Sequence, residues 1–242
     1  MQFVTCDFES TRHGVIHTIC LIPLKTTGNH QKGLLIFVKD VIQMDEVNEN
    51  PDVRRKLSLS MIKASKVGLD VQWLDFHDAI VTLIDFVTER GSILIGHNLI
   101  GDLGFLVTTQ NVVGGKRIIK NRLKEYPDTG TYDSRWESIT KICSMSLIST
   151  RCHKFNEHYY KFVAKNKENM NLTEGQKIPL RLETYSQFVN NCTHYSQTHE
   201  AVQDTIDLVN VMKVVIKYDG KSIISNENYI VPPIWRSANL YP

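Results

Sequence analysis

The chain has 242 residues, 42% of them hydrophobic and 22% charged, which fits a globular domain with its own core and excludes a disordered polymer. Its net charge of +2 is too small to announce a polyanion partner, so any basic surface must be local. No apolar run approaches the roughly 20 residues that cross a bilayer, and the five scattered cysteines, odd in number, read as free thiols rather than a disulfide framework.

Taken in chain order, residues 2–8 (QFVTCDF), 15–22 (VIHTICLI) and 34–38 (LLIFV) are rich in β-branched and aromatic types. Turn signals at Arg12–Gly14 and Thr26–Gly33 separate them, which predicts an antiparallel meander. A charged polar stretch follows from Asp45 to Arg55. Phe76, Ile80, Leu83 and Val87 then recur at helical intervals, and Arg90–Gly91 closes that helix. A short buried strand, Ser92–Ile95, ends at Gly96-His97-Asn98, with a second helix beginning near Gly101.

A further strand is expected near Gly130–Asp133, with a helix after it. The last long helix runs from about His199 to Tyr218, and Asp219-Gly220 stops it. The tail from Lys221, with Pro232-Pro233 and Trp235, reads as an extended strap. Residues 111–128 and 151–177 fit no compact element and read as insertions over one edge of the fold. Together these features predict one α/β domain over residues 1–242, a mixed sheet flanked by helices. The opening residues read as a strand rather than a signal segment, so the expected setting is intracellular, cytoplasmic or nuclear, without a membrane.

Three short segments carry the chemistry. In Thr5-Cys6-Asp7-Phe8-Glu9, alternation puts Phe3, Thr5, Asp7 and Glu9 on one face of the strand. Asp7 and Glu9 then lie about 6–7 Å apart at Cα. Either this is an acidic strand end facing water, or a hard cation sits between the two carboxylates. In the second segment, Gly96-His97-Asn98 breaks a strand, and Asp102 enters the first turn of the following helix on the face of Phe105 and Leu106. An acid there also stabilises the helix dipole, and His97 reads first as a hydrogen-bonded turn histidine.

The third segment is Thr198-His199-Glu200-Ala201-Val202-Gln203-Asp204. Ala201, Asp204, Leu208, Val211 and Val215 share a stripe, so Asp204 interrupts an apolar face, which is costly unless something pairs with its charge. His199 precedes the helix and can lean over the same site. A lone histidine there is more often structural. Beside convergent acids it is a candidate general base, since its ordinary pKa near 6.5 suits proton removal at neutral pH.

Asp7-x-Glu9, His97-Asn98-x₃-Asp102-x₂-Phe105-Leu106 and His199-x₄-Asp204 resemble the three motifs of the DEDDh 3′–5′ exonucleases, a family that includes RNase T, the TREX enzymes and bacterial proofreading subunits. Leu180-Arg181-Leu182 and Tyr185 are weakly similar to the short helix before the third motif. The resemblance implies an RNase H-like fold, a five-stranded mixed sheet of three antiparallel and then parallel strands flanked by helices. It implies two Mg²⁺ or Mn²⁺ ions, with Asp7 bridging them, Glu9 and Asp204 completing one shell and Asp102 serving the other largely through water. His199 would deprotonate the attacking water, and Thr11 and Asn98 would help seat the terminal nucleotide. The expected partner is nucleic acid, single-stranded or frayed at its 3′ end; several family members pair up, so a homodimer is a further expectation.

The chain is longer between the second and third motifs than compact members of that family. Lys116, Arg117, Lys120 and Arg122 in the first insertion suit contact with a substrate backbone, though a solvated charged loop explains them equally well. Some relatives of this fold carry a structural zinc. Cys143, Cys152, His153, Cys192 and His194 show no C-x₂₋₄-C pair, so zinc is not expected. The chief rival to a metal-dependent exonuclease is an RNase H-like module that grips nucleic acid or protein without cutting. A metal phosphatase acting on mononucleotides is a third reading.

Overall fold

The computed structural model describes residues 3–24, 32–114, 133–172 and 178–224. Its centre is one mixed sheet of six strands in the order β4-β3-β2-β1-β5-β6. The strands are β1 (Phe3–Ser10), β2 (Ile16–Leu24), β3 (Leu34–Val38), β4 (Asp70–Leu74), β5 (Ile93–Gly96) and β6 (Thr140–Cys143). The first three pair antiparallel, while β4 runs parallel to β3, β5 parallel to β1, and β6 parallel to β5. Five strands were expected, and β4 is the sixth. It lies on the sheet's edge with Trp73 49% exposed, so its residues lack the apolar alternation that marks a half-buried strand.

Ten helices pack around the described part of the sheet: α1 (Lys39–Ile42), α2 (Asp45–Asn48), α3 (Pro51–Val67), α4 (Phe76–Thr88), α5 (Leu99–Val113), α6 (Ser134–Ser138), α7 (Ser144–Arg151), α8 (His153–Lys165), α9 (Leu182–Val189) and α10 (Ala201–Asp219). Val4, Cys6 and Phe8 of β1 join Ile80, Leu83 and Ile84 of α4 and Leu99 and Leu106 of α5 in one core. On the other face, Cys20, Leu35 and Phe37 meet Ala64 of α3 and Ala201 and Val202 of α10. Phe3, Ile93, Ile95 and Ile142 meet side chains of α7, α8, α9 and α10. Each fully buried aliphatic or aromatic side chain in these layers contributes about 1.5–3 kcal/mol. By strand alternation, Asp7 and Glu9 belong to the face that α3 and α10 cover.

Several elements differ from expectation. The polar stretch 45–55 holds α2 and the start of α3, where Asn50 caps the helix by accepting from Asp52 and Val53 N–H and Pro51 occupies its first turn. Gly68 ends α3 at φ 70, the left-handed conformation favoured in a C-terminal cap. The stretch 151–177 is not a structureless insertion: α8 occupies its first half and buries Phe155, Tyr159 and Val163. The Asp219 carboxylate accepts from the backbone N–H of Lys154 and Phe155 at 2.9 Å, so the end of α10 caps the start of α8.

Residues 111–113 complete α5, which begins at Leu99. Asp133 caps α6 and belongs to no strand, and the sheet is continued by β6. Lys221–Ile223 form a single 3-10 turn. Residues 115–132, with Lys116, Arg117, Lys120 and Arg122, and the tail from 225, with Pro232, Pro233 and Trp235, lie outside the described residues. Among the described residues no helix is long and apolar enough to cross a membrane.

Candidate metal centre

Two elements bring the acids together. Asp7 and Glu9 project from the end of β1, and Asp204 from the first turn of α10. Each offers an oxygen, and these ligand atoms all lie within 4.8 Å of one another. A register break after Glu9 leaves His17 as the extra residue of β2, because Glu9 faces Thr18 while Ser10 faces Ile16. Such a bulge bends the strand pair beside the acids. Gly96 lets β5 approach closely: a Cβ there would stand 2.8 Å from Leu99 Cδ1 and 3.2 Å from Cys6 Sγ.

The charges are crowded and poorly solvated. Burial pushes the Asp7 carboxyl well above the usual range, and the charges of Asp204, Glu9, Asp102 and Glu200 push it further. Burial likewise raises Asp204 to about 7, with Glu9, Asp207 and Glu200 adding to the shift and a hydrogen bond from Gln197 opposing it. Asp204 Oδ1 is buried without a hydrogen-bond partner. Of the buried side-chain atoms without a partner among the described residues, this oxygen is the one that belongs to the acidic cluster, where a cation can satisfy it. The donor set is all oxygen, which fits Mg²⁺ or Mn²⁺ rather than a thiolate-seeking metal.

Asp102 stands apart. It lies in the first turn of α5, outside the cluster of three, and does not line the cleft above it. Burial raises it to about 8, with Glu9 adding to the shift, and its charge reaches Asp7 and Cys6.

Sequence reasoning missed the lysines of α3. Lys56 Nζ donates to Glu9 Oε2 at 2.9 Å, with 18% and 11% of the two side chains exposed. Burial lifts the Glu9 carboxyl, and the Lys56 ammonium works against that lift. About two helical turns further on, Lys63 Nζ lies 3.1 Å from Glu200 Oε2. Glu200 is fully buried and caps α10 by accepting from Val202 and Gln203 N–H at 3.0 and 3.1 Å. No spacing rule links α3 to acids on other elements; only the buried Glu200 ahead of a helix carried a capping signal.

His199 stands directly before Glu200 at φ 49, is exposed, and lines the cleft. Its segment is pinned at several points. Tyr195 donates its hydroxyl to Asp207, which also accepts from Gln203 Nε2 at 2.9 Å. Gln187 Nε2 donates to the Tyr195 carbonyl at 2.9 Å, and Glu183 accepts from Gln197 N–H at 3.1 Å. His97 is the hydrogen-bonded turn histidine expected: its rings nitrogens sit 3.0 Å from Ser144 Oγ and 3.1 Å from the Leu180 carbonyl. Burial lowers its pKa to about 4, so it is neutral, with Nε2–H donating to Leu180 and Nδ1 accepting from Ser144.

The cleft measures about 530 Å³ and takes in Asp7, Glu9, Asp204, His199, Asn98 and Arg181. Asn98 lines the cleft from the turn before α5, at φ 58. Thr11 does not line the cleft, because its hydroxyl is spent in the β1–β2 turn, accepting from His13 and Val15 N–H at 3.2 and 3.3 Å. The five cysteines are free: Cys143 and Cys152 are buried in different cores and Cys192 is exposed. Comparison with protein-family models and with curated proteins returns no match.

Proposed function

We propose that this chain is a metal-dependent 3′–5′ exonuclease of DNA or RNA, built on an RNase H-like fold. The observation that carries the reading is the convergence of Asp7, Glu9 and Asp204 oxygens within 4.8 Å, with one Asp204 oxygen buried and unpartnered. Asp7, Glu9 and Asp204 would hold the divalent ions, and Asp102, which does not line the cleft, would serve them only through water. Such ions stabilise the attacking and leaving oxygens of an in-line displacement at phosphorus. His199, exposed on the cleft rim, takes the proton from the attacking water. Asn98 and the cleft wall orient the strand end, which is the larger part of what the protein must supply.

A second reading has its own support. Lys56 and Lys63 already satisfy Glu9 and Glu200, as befits a domain that grips a partner without cutting it. The two separate in one assay. A 5′-labelled single-stranded oligonucleotide is incubated with Mg²⁺ or Mn²⁺, with a chelator and Asp7→Ala as controls. A ladder shortening from the 3′ end, absent in both controls, is the expected result; binding without cleavage supports the module instead. His199→Ala is expected to retain metal and lose turnover by about 10²-fold or more. Unchanged rates in that variant would contradict its role as base.

A further inference from the structure

We infer that Arg181 binds a phosphate of the substrate upstream of the reacting one, which makes the substrate a polynucleotide strand and not a mononucleotide. The inference rests on the exonuclease reading of the cleft. Among the described residues that line the cleft, Arg181 is the one lysine or arginine. It stands on the wall formed by residues 180–183, and the acids Asp7, Glu9 and Asp204 line the same space. An anionic strand entering this space meets a negative floor, so a fixed cation on the wall decides where its backbone runs.

The wall is rigid although residues 178–181 belong to no helix or strand. His97 Nε2–H holds the Leu180 carbonyl at 3.1 Å, and Ser144 in turn holds His97 at 3.0 Å. Tyr159 donates its hydroxyl to the Pro179 carbonyl. The Arg181 carbonyl accepts from Thr184 Oγ1 at 2.9 Å and from Tyr185 N–H at 3.1 Å, so Arg181 is also the residue that opens α9. Backbone contacts on both sides therefore fix the base of the arginine. Its guanidinium is exposed and has no hydrogen-bond or ion-pair partner among the described residues.

The neighbouring acid does not neutralise it. Glu183 lines the cleft too, but its Oε1 accepts from Gln197 N–H at 3.1 Å, in the segment that carries His199. A guanidinium with no ion-pair partner among the described residues is available to an outside anion, and its fork of donors matches a phosphate's oxygens. Leu180, Leu182 and Met145 on the same cleft offer apolar surface to a base or sugar. The volume of about 530 Å³ lies within the range of about 300–1,000 Å³ found for small-ligand sites, so the cleft takes a strand's end and not a length of it.

The test compares two substrates. One is a single-stranded oligonucleotide; the other is the p-nitrophenyl ester of thymidine 5′-phosphate, which has a scissile phosphodiester and no upstream phosphate. Arg181→Ala is expected to raise KM for the oligonucleotide about 10-fold with kcat little changed. The slope of log KM against log salt should flatten by about 0.7, the share of one phosphate on a single strand. Hydrolysis of the small ester should stay as in the wild type, and Arg181→Lys should recover part of the loss. Equal losses on both substrates, or none on either, overturn the inference while leaving the exonuclease reading intact.

Anisotropy of the labelled oligonucleotide, made with non-cleavable linkages, supplies the second arm. Tight binding that depends on Arg181, without cleavage of the natural strand, supports the contact between Arg181 and a strand phosphate and removes the exonuclease. Absent binding, or binding indifferent to Arg181, overturns the inference outright. A thermal melt of Arg181→Ala matching the wild type shows that the wall is still folded.

Discussion

Two kinds of carboxylate share one end of this sheet. Glu9 and Glu200 each have an ammonium from α3 within about 3 Å, Lys56 for the first and Lys63 for the second. Asp7, beside Glu9 on the same strand, has no cationic partner among the described residues, and Asp204 keeps one oxygen bare. The glutamates are stabilised by the protein itself and act as fixed points: one caps α10, the other sets the strand end. The aspartates repel each other and their neighbours. Leaving buried charge uncompensated is expensive, and such cost collects where an outside ligand will relieve it.

This contrast can be broken from either side. On the paired side the effect is a direct loss of stability. Lys56→Met leaves Glu9 buried without its ammonium and should lower stability in chelator by about 3 kcal/mol. The double variant with Glu9→Gln should recover most of that loss, read by chemical denaturation. Adding Mn²⁺ to the single variant should restore more stability than it adds to the wild type, because Glu9 then needs the ion more. Equal gains would mean that Lys56 and the metal do not share Glu9.

On the unpaired side the effect is a dependence on pH. Asp204 and Asp102 keep their protons to about pH 7 and about pH 8, while unfolded carboxyls release theirs near pH 4. Raising the pH between those limits strips protons from the unfolded chain first, so the metal-free protein loses stability as pH rises. Its melting temperature in chelator should therefore fall by several degrees from about pH 5 to about pH 8. Asp204→Asn should flatten that fall. A steeper fall, or a rise with pH, would show that the carboxyls are not destabilised by burial.

The same contrast explains what was legible in the sequence. Asp7 and Glu9 were readable because strand alternation places them on one face, and Asp204 because it interrupts an apolar helical stripe. The lysines were not. The inward stripe of α3 is Val53, Lys56, Leu57, Ser60, Lys63 and Ala64, and two lysines and a serine on that stripe blur the apolar period that marks a helix. The lysines that tie α3 to the buried glutamates therefore hid the helix. In α8 the buried Phe155, Tyr159 and Val163 recur every four residues but stand among lysines and histidines, and polar composition outweighed period. The β4 edge and the pinning of residues 178–181 by His97 depend on contacts between distant segments, which no local pattern encodes.

The most direct measurement is a calorimetric titration of metal-free protein with Mn²⁺, run on the wild type, Asp7→Asn and Asp204→Asn. Saturable binding to the wild type that Asp7→Asn abolishes and Asp204→Asn weakens at least about 10-fold is the expected result. Identical isotherms for all three proteins, or no binding to the wild type, would contradict the assignment of Asp7, Glu9 and Asp204 as the metal's ligands.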